Sequence, residues 1–573
     1  MSPPPRLTAS EAPDYAPLPA MPAALAELAT LGLPYALFRL GYVLAGLLGI
    51  VLLWRRPRPT AALLLVLGLH VAAWAAYVAP LSRLYALDEH LDRAFQVGMA
   101  ACTAAGASPF EHTQVRFAAL EPFWNLVPAA LSLYRPERAM ATYTWLPVFA
   151  LAFVALCLHA GLRADGGVED AWERVLLAFA ALGLSSLSMS PRAPIPPFWT
   201  ANFMLKPNHA AAWGLLVFVV GWQVRRRRPA LVLGLLLGFL AWFFLLAWAY
   251  AVAALVLALL LAPRPERDWR RLGLAVIVSV LVAAPYLRHL ARDYNPFGAG
   301  GSPEQIWRDA IGVRLAVPHW GTLDLGPLLV LGVLGILALK RRGTPRDRAL
   351  LGLLGTAWGL WLAYELGALV RFAPEPDEAH YFLRFVMALA AGAALAAGAR
   401  HVEGSRGLQP GQGHLLAMAC CLPLTFPAYW DPPTMDRYFK PSQRPIPPKV
   451  LAYGTWVREH TVPGAVFVAG PSASSWIPAL AGRRVLLAAE ARPPADYAAR
   501  KEVERALLAA GSPEEIPRAA RSFGITHLAV DRPMREEYGD EAIARLTEPV
   551  WARVFENSAI LILELRGGPE TAP

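Results

Sequence analysis

The sequence predicts a polytopic α-helical membrane protein of about twelve spans that ends in an extracytoplasmic α/β domain, and three observations carry that prediction. First, 56% of the 573 residues are hydrophobic and only 17% are charged, with a mean hydropathy of +0.39; one soluble core cannot hide so much apolar surface. Second, apolar windows long enough to cross a hydrocarbon core of about 30 Å are separated by charge clusters, and arginine dominates every other one. Third, the composition changes abruptly after Trp430.

The windows, each read as a helix, are 37–54, 61–79, 141–163, 174–190, 208–224, 229–245, 247–262, 272–287, 325–340, 349–370, 382–399 and 413–430. A tail of residues 1–36 precedes them and carries no basic stretch followed by an apolar core, so no cleavable signal peptide is expected. The continuous apolar run 229–262 reads as two short helices with a tight turn, because arginines flank both of its ends. Short cytoplasmic loops retain Lys and Arg. Arg55, Arg56 and Arg58, then Arg225 to Arg228, then Arg264, Arg267, Arg270 and Arg271, then Lys340, Arg341, Arg342, Arg346 and Arg348 all fall in odd-numbered loops, which places those loops inside. Both termini, the loop holding Asp88, and loops 191–206, 288–324 and 371–381 are then outside.

The net charge of +10 is explained by juxtamembrane arginines facing lipid headgroups, so the membrane lipids are its partners. No basic stretch is interleaved with aromatics as a base-stacking surface would be, which argues against nucleic acid. The four cysteines make no framework: Cys157, Cys420 and Cys421 fall in windows and Cys102 stands alone.

The outer loop 80–139 belongs to the membrane domain 37–430. Leu84, Leu87, Leu91, Phe95 and Met99 recur at helical spacing opposite Asp88, Asp92 and Gln96, which predicts an amphipathic helix at the outer leaflet. A second interfacial stretch, 115–133, brings Phe117, Phe123 and Trp124 to headgroup level. In the final domain, 431–573, a proline-rich connector 431–449 leads to a helix at 450–460, a strand at 465–469, a helix from Ser472, a strand at 484–489, helical stretches at 497–510 and 513–523, and strands at 526–531, 551–555 and 559–565. That alternation suggests a small, partly parallel sheet with packed helices. No glycine-rich phosphate fingerprint follows any of these strands.

Chemistry at the outer face points first to Asp88 and Glu89, adjacent carboxylates directly after a window. Transfer of a sugar from a lipid phosphate to a hydroxyl requires a carboxylate to take the acceptor proton and cations to hold the charge on the departing phosphate. The bland alternative is that the pair caps and solvates an amphipathic helix. For the phosphate, one candidate set is Lys206 and His209 in FMLKPNHA; Lys206 is the only lysine before residue 340, and its bland role is a snorkelling anchor. The other set lies in 375–385, EPDEAHYFLRF, with Glu378, His380, Tyr381 and Arg384. An arginine entering a span is costly unless it pairs with a carboxylate such as Glu365 or with a ligand phosphate. Glu111 and His112 in SPFEHTQ either shape the acceptor side or face water. No HExxH or other compact ligand spacing appears, so neither a metal nor another cofactor is expected.

Together these features resemble the GT-C superfamily of integral-membrane glycosyltransferases, especially bacterial members similar to protein O-mannosyltransferases and lipid A aminoarabinose transferases. The resemblance rests on Asp88-Glu89 after a span, the turn at 106–109, the KPNH of the 190–209 loop, HYFLRF, and a tail with WVREHTVPGAVFVAG, ALAGRRVLL and FGITHLAVD. It implies a multi-pass enzyme of the bacterial plasma membrane. Its reaction would be inverting transfer from a polyprenyl-phosphate sugar donor to an extracytoplasmic glycan, lipid or protein, with Asp88 as general base and Glu89 beside it. The chain departs from the family pattern in carrying an extra window before the acidic loop: either an added N-terminal helix or a first segment that does not cross. Two other classes stay open. A transporter accounts for twelve spans but should place its charges near the midplane; a glycan-binding scaffold accounts for the outer domain but leaves Asp88 and Glu89 dispensable.

Overall fold

The structure is a computed structural model, and it describes residues 33–73, 91–115, 121–163, 167–186, 207–226, 229–293, 325–369, 376–425, 446–488, 496–510, 513–516, 518–546 and 550–566. It is mostly helical, with one five-stranded sheet among the described residues.

Within the described residues each of the twelve apolar windows overlaps a helix: α1 (Leu33–Trp54), α2 (Pro59–Ala73), α5 (Ala139–Gly161), α6 (Gly167–Gly183), α7 (Pro207–Arg226), α8 (Ala230–Phe243), α9 (Leu245–Leu261), α10 (Trp269–Asp293), α11 (Pro327–Arg342), α12 (Pro345–Leu369), α13 (Pro376–Arg406) and α14 (Gln412–Thr425). Between α2 and α5 lie α3 (Leu91–Ala104) and α4 (Pro122–Leu131). Proline opens α2, α4, α7, α11, α12 and α13, where its missing N–H breaks no intrahelical bond and its fixed φ already suits the helix. The run 229–262 is two helices, separated at Phe244, whose φ of −163° is extended.

Two stretches among the described residues, Arg264–Ala291 and Ala379–Arg406, are each long and apolar enough to cross a membrane. A third would follow if Pro136–Tyr143 and Trp145–Gly161, bent by 62°, act as one span. Helices α8 and α9, with 14 and 17 residues, rise only about 21 and 26 Å, which falls short of a full hydrocarbon core of about 30 Å.

Helix α13 is the axis of the bundle. It packs on α6, α11, α12 and α14, and 78% of its apolar window is buried, against 22% for α10. Buried Ala388, Ala390, Ala391, Ala393 and Ala396 line it, and small residues allow the close helix approach that association in lipid depends on. Gly335 of α11 sits directly on the Ala390 carbonyl, where no side chain fits.

The bundle has two chemically distinct ends. At the arginine-rich end, Glu173 accepts from Arg342 at 2.8 Å, Arg346 at 2.7 Å and Arg400 at 3.0 Å. Asp170 accepts from Arg346 at 2.6 Å, and Asp347 from Arg342 at 2.7 Å. Arg384 and Arg400 lie on the same helix sixteen residues apart, about 24 Å of rise, so Arg384 belongs to the opposite end.

The C-terminal segment contributes α15 (Pro448–His460), β1 (Val466–Ala469), α16 (Ala473–Ala481), β2 (Arg484–Val485), α17 (Tyr497–Ala509), α18 (Arg518–Ser522), β3 (Ile525–Asp531), α19 (Arg532–Tyr538), α20 (Asp540–Arg545), β4 (Trp551–Glu556) and β5 (Ile560–Leu565). The strand order is β2-β1-β3-β5-β4; β2, β1 and β3 are parallel, while β5 is antiparallel to both β3 and β4. Strand residues alternate between two cores, as a period of two requires. Phe467, Ala469, Ala529, Ile560 and Ile562 join the core that runs on into the bundle. Val466, Val468, Leu528, Val530, Leu561 and Leu563 join a separate core with Leu507 of α17 and Ile543 of α20. Both faces are covered, so β1, Leu528 to Val530 of β3 and Ile560 to Leu563 of β5 read as apolar runs. Asp531 caps two helices at once, accepting from the backbone N–H of Met534 at 3.1 Å and from those of Ser472 and Ala473 at 2.8 and 3.0 Å.

Candidate functional site

The site is assembled on α3, α4, α7 and α13, at the end away from the arginine cluster. Asp88, Glu89 and Lys206 lie outside the described residues, as do Phe117 and the connector 431–445; α3 is the element that follows Asp88 and Glu89 in the chain.

The amphipathic pattern of α3 predicts a helix lying on the leaflet with Gln96 facing water. Instead Gln96 and Met99 are both buried, because α4 and α16 pack over this helix. Burial obliges polar groups to find partners, and two of them are visible. The Gln96 amide donates to Asn208 Oδ1 at 3.2 Å, and Asn125 of α4 donates to Met99 Sδ at 3.6 Å. In the stretch read as interfacial, Trp124 is fully buried edge-on against Phe243 and Phe123 stacks on Phe239 and Trp242 of α8, while Leu131 and Leu133 are exposed.

Asn208 and His209 occupy the first turn of α7, and Glu121 is the residue before α4. Asn208 Nδ2 donates to Glu121 Oε2, and the other carboxylate oxygen lies 3.8 Å from His209 Nε2. A carboxylate at the start of α7 is favoured by the positive end of that helix as well. All of Gln96, Glu121, Asn208 and His209 are buried, so this is a closed amide–carboxylate–imidazole chain joining three elements.

An aromatic relay carries the chain toward α13. The His209 ring stacks on Phe244 at 4.4 Å, the extended residue between α8 and α9. One turn along α7, Trp213 meets Phe244 edge-on at 5.8 Å and stacks on Phe382 of α13 at 4.9 Å, while Tyr250 of α9 stacks on both Trp213 and Phe382. Phe382 lies between Tyr381 and Arg384, and Arg384 is 0% exposed; His380 and Tyr381 are also buried. Glu378 sits in the first turn of α13, its side chain outside the described residues.

The structure therefore brings His209, His380, Tyr381 and Arg384 to one end of the bundle. Glu111 and His112 instead build the seam to the C-terminal sheet. Glu111 accepts from Arg484 Nη1 at 2.6 Å. His112 Nδ1 accepts from the Gln114 N–H at 3.1 Å, and burial, helped by the charge of Arg500, holds its imidazole well below the ordinary range. Next to them Gln114 bridges Val485 in parallel, with Val115 N–H to Val485 O at 3.0 Å and Val485 N–H to Thr113 O at 2.9 Å. Arg500 closes the seam, donating to the carbonyls of Val115 and Leu486, both at 2.8 Å.

Sequence reasoning passed over Glu121 and Asn208 as site residues and placed Gln96 only on the polar face of an amphipathic helix. Asn208 stood inside the quoted KPNH, but a neutral amide carries no charge signal. Glu121 had the one available cue, a carboxylate immediately before a helix-opening proline. Among the described residues no cluster of three His, Cys, Asp or Glu side chains could hold a metal. Chemically, the arrangement offers an anion-neutralising guanidinium in a dry environment and a carboxylate–imidazole pair that can orient or exchange protons.

No family model matches the sequence, and no curated protein matches it. Among solved structures the chain is similar to the Archaeoglobus fulgidus oligosaccharyltransferase in its apo form, with 14% identity and a TM-score of 0.45 over 86% of this chain and 72% of that one. It is similar to the same organism's oligosaccharyltransferase AglB in complex with an inhibitory peptide and a dolichol-phosphate, with 14% identity and a TM-score of 0.42 over 79% and 67%. It is also similar to ArnT from Cupriavidus metallidurans in the apo state, with 11% identity and a TM-score of 0.45 over 86% and 97%.

Proposed function

We propose that the protein is an integral-membrane glycosyltransferase of the GT-C kind, moving a sugar from a polyprenyl-phosphate donor to an extracytoplasmic glycan, lipid or protein. The observation that carries this reading is Arg384. A fully buried arginine stands on the central helix at the end of the bundle that also holds the Gln96–Asn208–Glu121–His209 chain. The helix supplying Gln96 directly follows Asp88 and Glu89 in sequence. An arginine in an apolar bundle is costly and marks a functional site when its position suits an anionic ligand.

In this mechanism the Asp88 carboxylate takes the proton of the acceptor hydroxyl as its oxygen attacks the anomeric carbon from the face opposite the phosphate. The new C–O bond forms as the bond to the lipid phosphate breaks, which inverts the centre. Arg384 and Lys206 neutralise the negative charge that leaves with the polyprenyl phosphate. Gln96 and Asn208 hold α3 and α7 together, and Glu121 ties the start of α7 to the start of α4. No cofactor takes part in these steps.

The test is transfer of labelled sugar from a polyprenyl-phosphate donor in reconstituted membranes. Asp88→Asn should lower the rate by about 10² to 10⁴, the usual weight of general-base assistance, and leave donor binding intact. Loss of transfer in Glu89→Gln alone would assign the role to Glu89. Full activity in both variants would remove this loop from the chemistry and favour transport or glycan binding.

A further inference from the structure

A groove runs between α11, α13 and α14 in the arginine-rich half of the bundle, enclosing about 540 Å³, a volume within the usual range of about 300–1,000 Å³ for one small ligand. Its walls are Leu334 and Leu337 of α11 on one side and Leu416 of α14 on the other, and Ala394 and Gly398 of α13 form its floor. The three leucines are well exposed for apolar side chains, at 52%, 47% and 41%. The helices themselves create the gap. Helix α11 closes on α13 at Gly335 and Ala390, and α14 closes on α13 at Gly413 and Ala399, leaving the space between α11 and α14 to be filled by something else.

The mouth of the groove carries one charge, Arg341, which is exposed. Four arginines near it are committed, Arg342, Arg346 and Arg400 to Glu173 and Arg348 to Glu266 at 2.7 Å, while the adjacent Lys340 lies outside the groove. Among the described residues Arg341 has no carboxylate partner. From Arg341 to Leu331, the far lining residue of α11, is ten residues, about 15 Å of rise, or half of a hydrocarbon core of about 30 Å. The groove is therefore one leaflet deep, apolar along its length and cationic at the level of the headgroups.

We propose that this groove is a binding site for one anionic phospholipid of the leaflet at the arginine-rich end, with an acyl chain between α11 and α14 and the headgroup phosphate on Arg341. Basic pockets between membrane helices select anionic headgroups in this way. The site lies at the opposite end from Arg384 and does not depend on the glycosyltransferase reading.

The experiment is native mass spectrometry of the full chain released from nanodiscs made of equal parts phosphatidylglycerol and phosphatidylcholine. The wild-type protein should retain phosphatidylglycerol preferentially. Arg341→Gln should reduce that retention about tenfold, the weight of one charge-assisted hydrogen bond, while Lys340→Gln, at the same end but outside the groove, leaves it unchanged. Gly398→Leu should abolish retention of both lipids. No atom stands within 4 Å of where its Cβ would be built, so the side chain fills the groove without disturbing the helices, and an unchanged thermal midpoint confirms that. Equal retention of the two lipids, or undiminished phosphatidylglycerol in either the Arg341 or the Gly398 variant, overturns the proposal.

Discussion

Arg384 and Glu121 are the two charges whose burial has to be accounted for one residue at a time. A bidentate contact from Arg384 to a phosphate predicts that Arg384→Lys does not restore wild-type turnover, because a lysine supplies a point charge without the planar fork. Arg384→Gln should lower turnover about tenfold to a hundredfold, measured by the same reconstituted transfer assay; equal rates in all three proteins would take Arg384 out of the reaction. Glu121→Gln keeps an oxygen for the Asn208 amide and removes the charge facing His209, whereas Glu121→Ala leaves Asn208 without its acceptor in a dry site. The alanine variant should therefore be the less stable of the two by about 1–3 kcal/mol, read as the shift in thermal midpoint. Charged residues at segment boundaries were legible from sequence. Neutral amides such as Gln96 and Asn208 were not, because only the fold reveals that α4 and α16 bury them.

Among elements, α3 taught the most. Its apolar stripe was real, but amphipathicity says only that two faces differ and leaves open what covers each one. The covering helix, α16, comes from the far end of the sequence and ends at Gly482, whose φ is +65° and whose added Cβ would stand 2.6 Å from the Ala101 carbonyl oxygen. Gly482→Ala should strain this contact by about 1–3 kcal/mol and loosen α16 from α3. Cys102 is the natural reporter. Burial pushes its thiol up to about 12, and it donates to the Arg483 carbonyl at 3.7 Å. In a Cys420→Ser background, where the exposed thiol is gone, maleimide labelling should be negligible in the parent and substantial in Gly482→Ala.

The strands were located closely from their apolar runs. Expected at 484–489, β2 ends at Val485, where Gln114 completes its pairing. The helices α19 and α20 went unseen because Asp531, read as the end of a strand, both ends β3 and caps the start of α19. His527 in β3 sets a pH dependence. Burial against Phe467, with the rings 4.7 Å apart, lowers its imidazole from 6.5 to about 4. The unfolded chain then holds a proton that the folded chain refuses, so stability is complete above about pH 6.5 and falls as the pH drops toward 4. Thermal midpoints over that range should decline, and His527→Gln should flatten the decline; an unaltered slope would place the cause elsewhere.

For the whole molecule, the apolar windows and the order of the strands could be read in advance, since hydropathy and its period report on burial. The lengths could not: α8 and α9 are each shorter than a full crossing, divided at an extended Phe244 that serves the His209 stack. Arginine alternation also left its mark, although Asp170, Glu173 and Asp347 neutralise much of that cluster locally. The orientation it implies predicts that a cysteine introduced beside Arg226 stays protected from impermeant reagent in intact cells, while one in the segment after Pro448 is labelled. The reverse pattern would invert the topology.

The seam between Gln114 and Val485 also sets a timetable. Glu111 and Arg484 are 373 residues apart, and a ribosome adding roughly 5–20 residues per second reaches the second roughly 20–75 seconds after the first. Throughout that interval the 111–115 segment has left the ribosome without the sheet edge it will join, and α3 lacks the helix that will cover it. The seam and the cover over α3 are thus completed only after helices α1 to α14 have been made, however early the 111–115 segment is synthesised. A chain truncated between α14 and α15 would carry every helix of the bundle and still lack both the cover of α3 and the strand that the 111–115 segment joins.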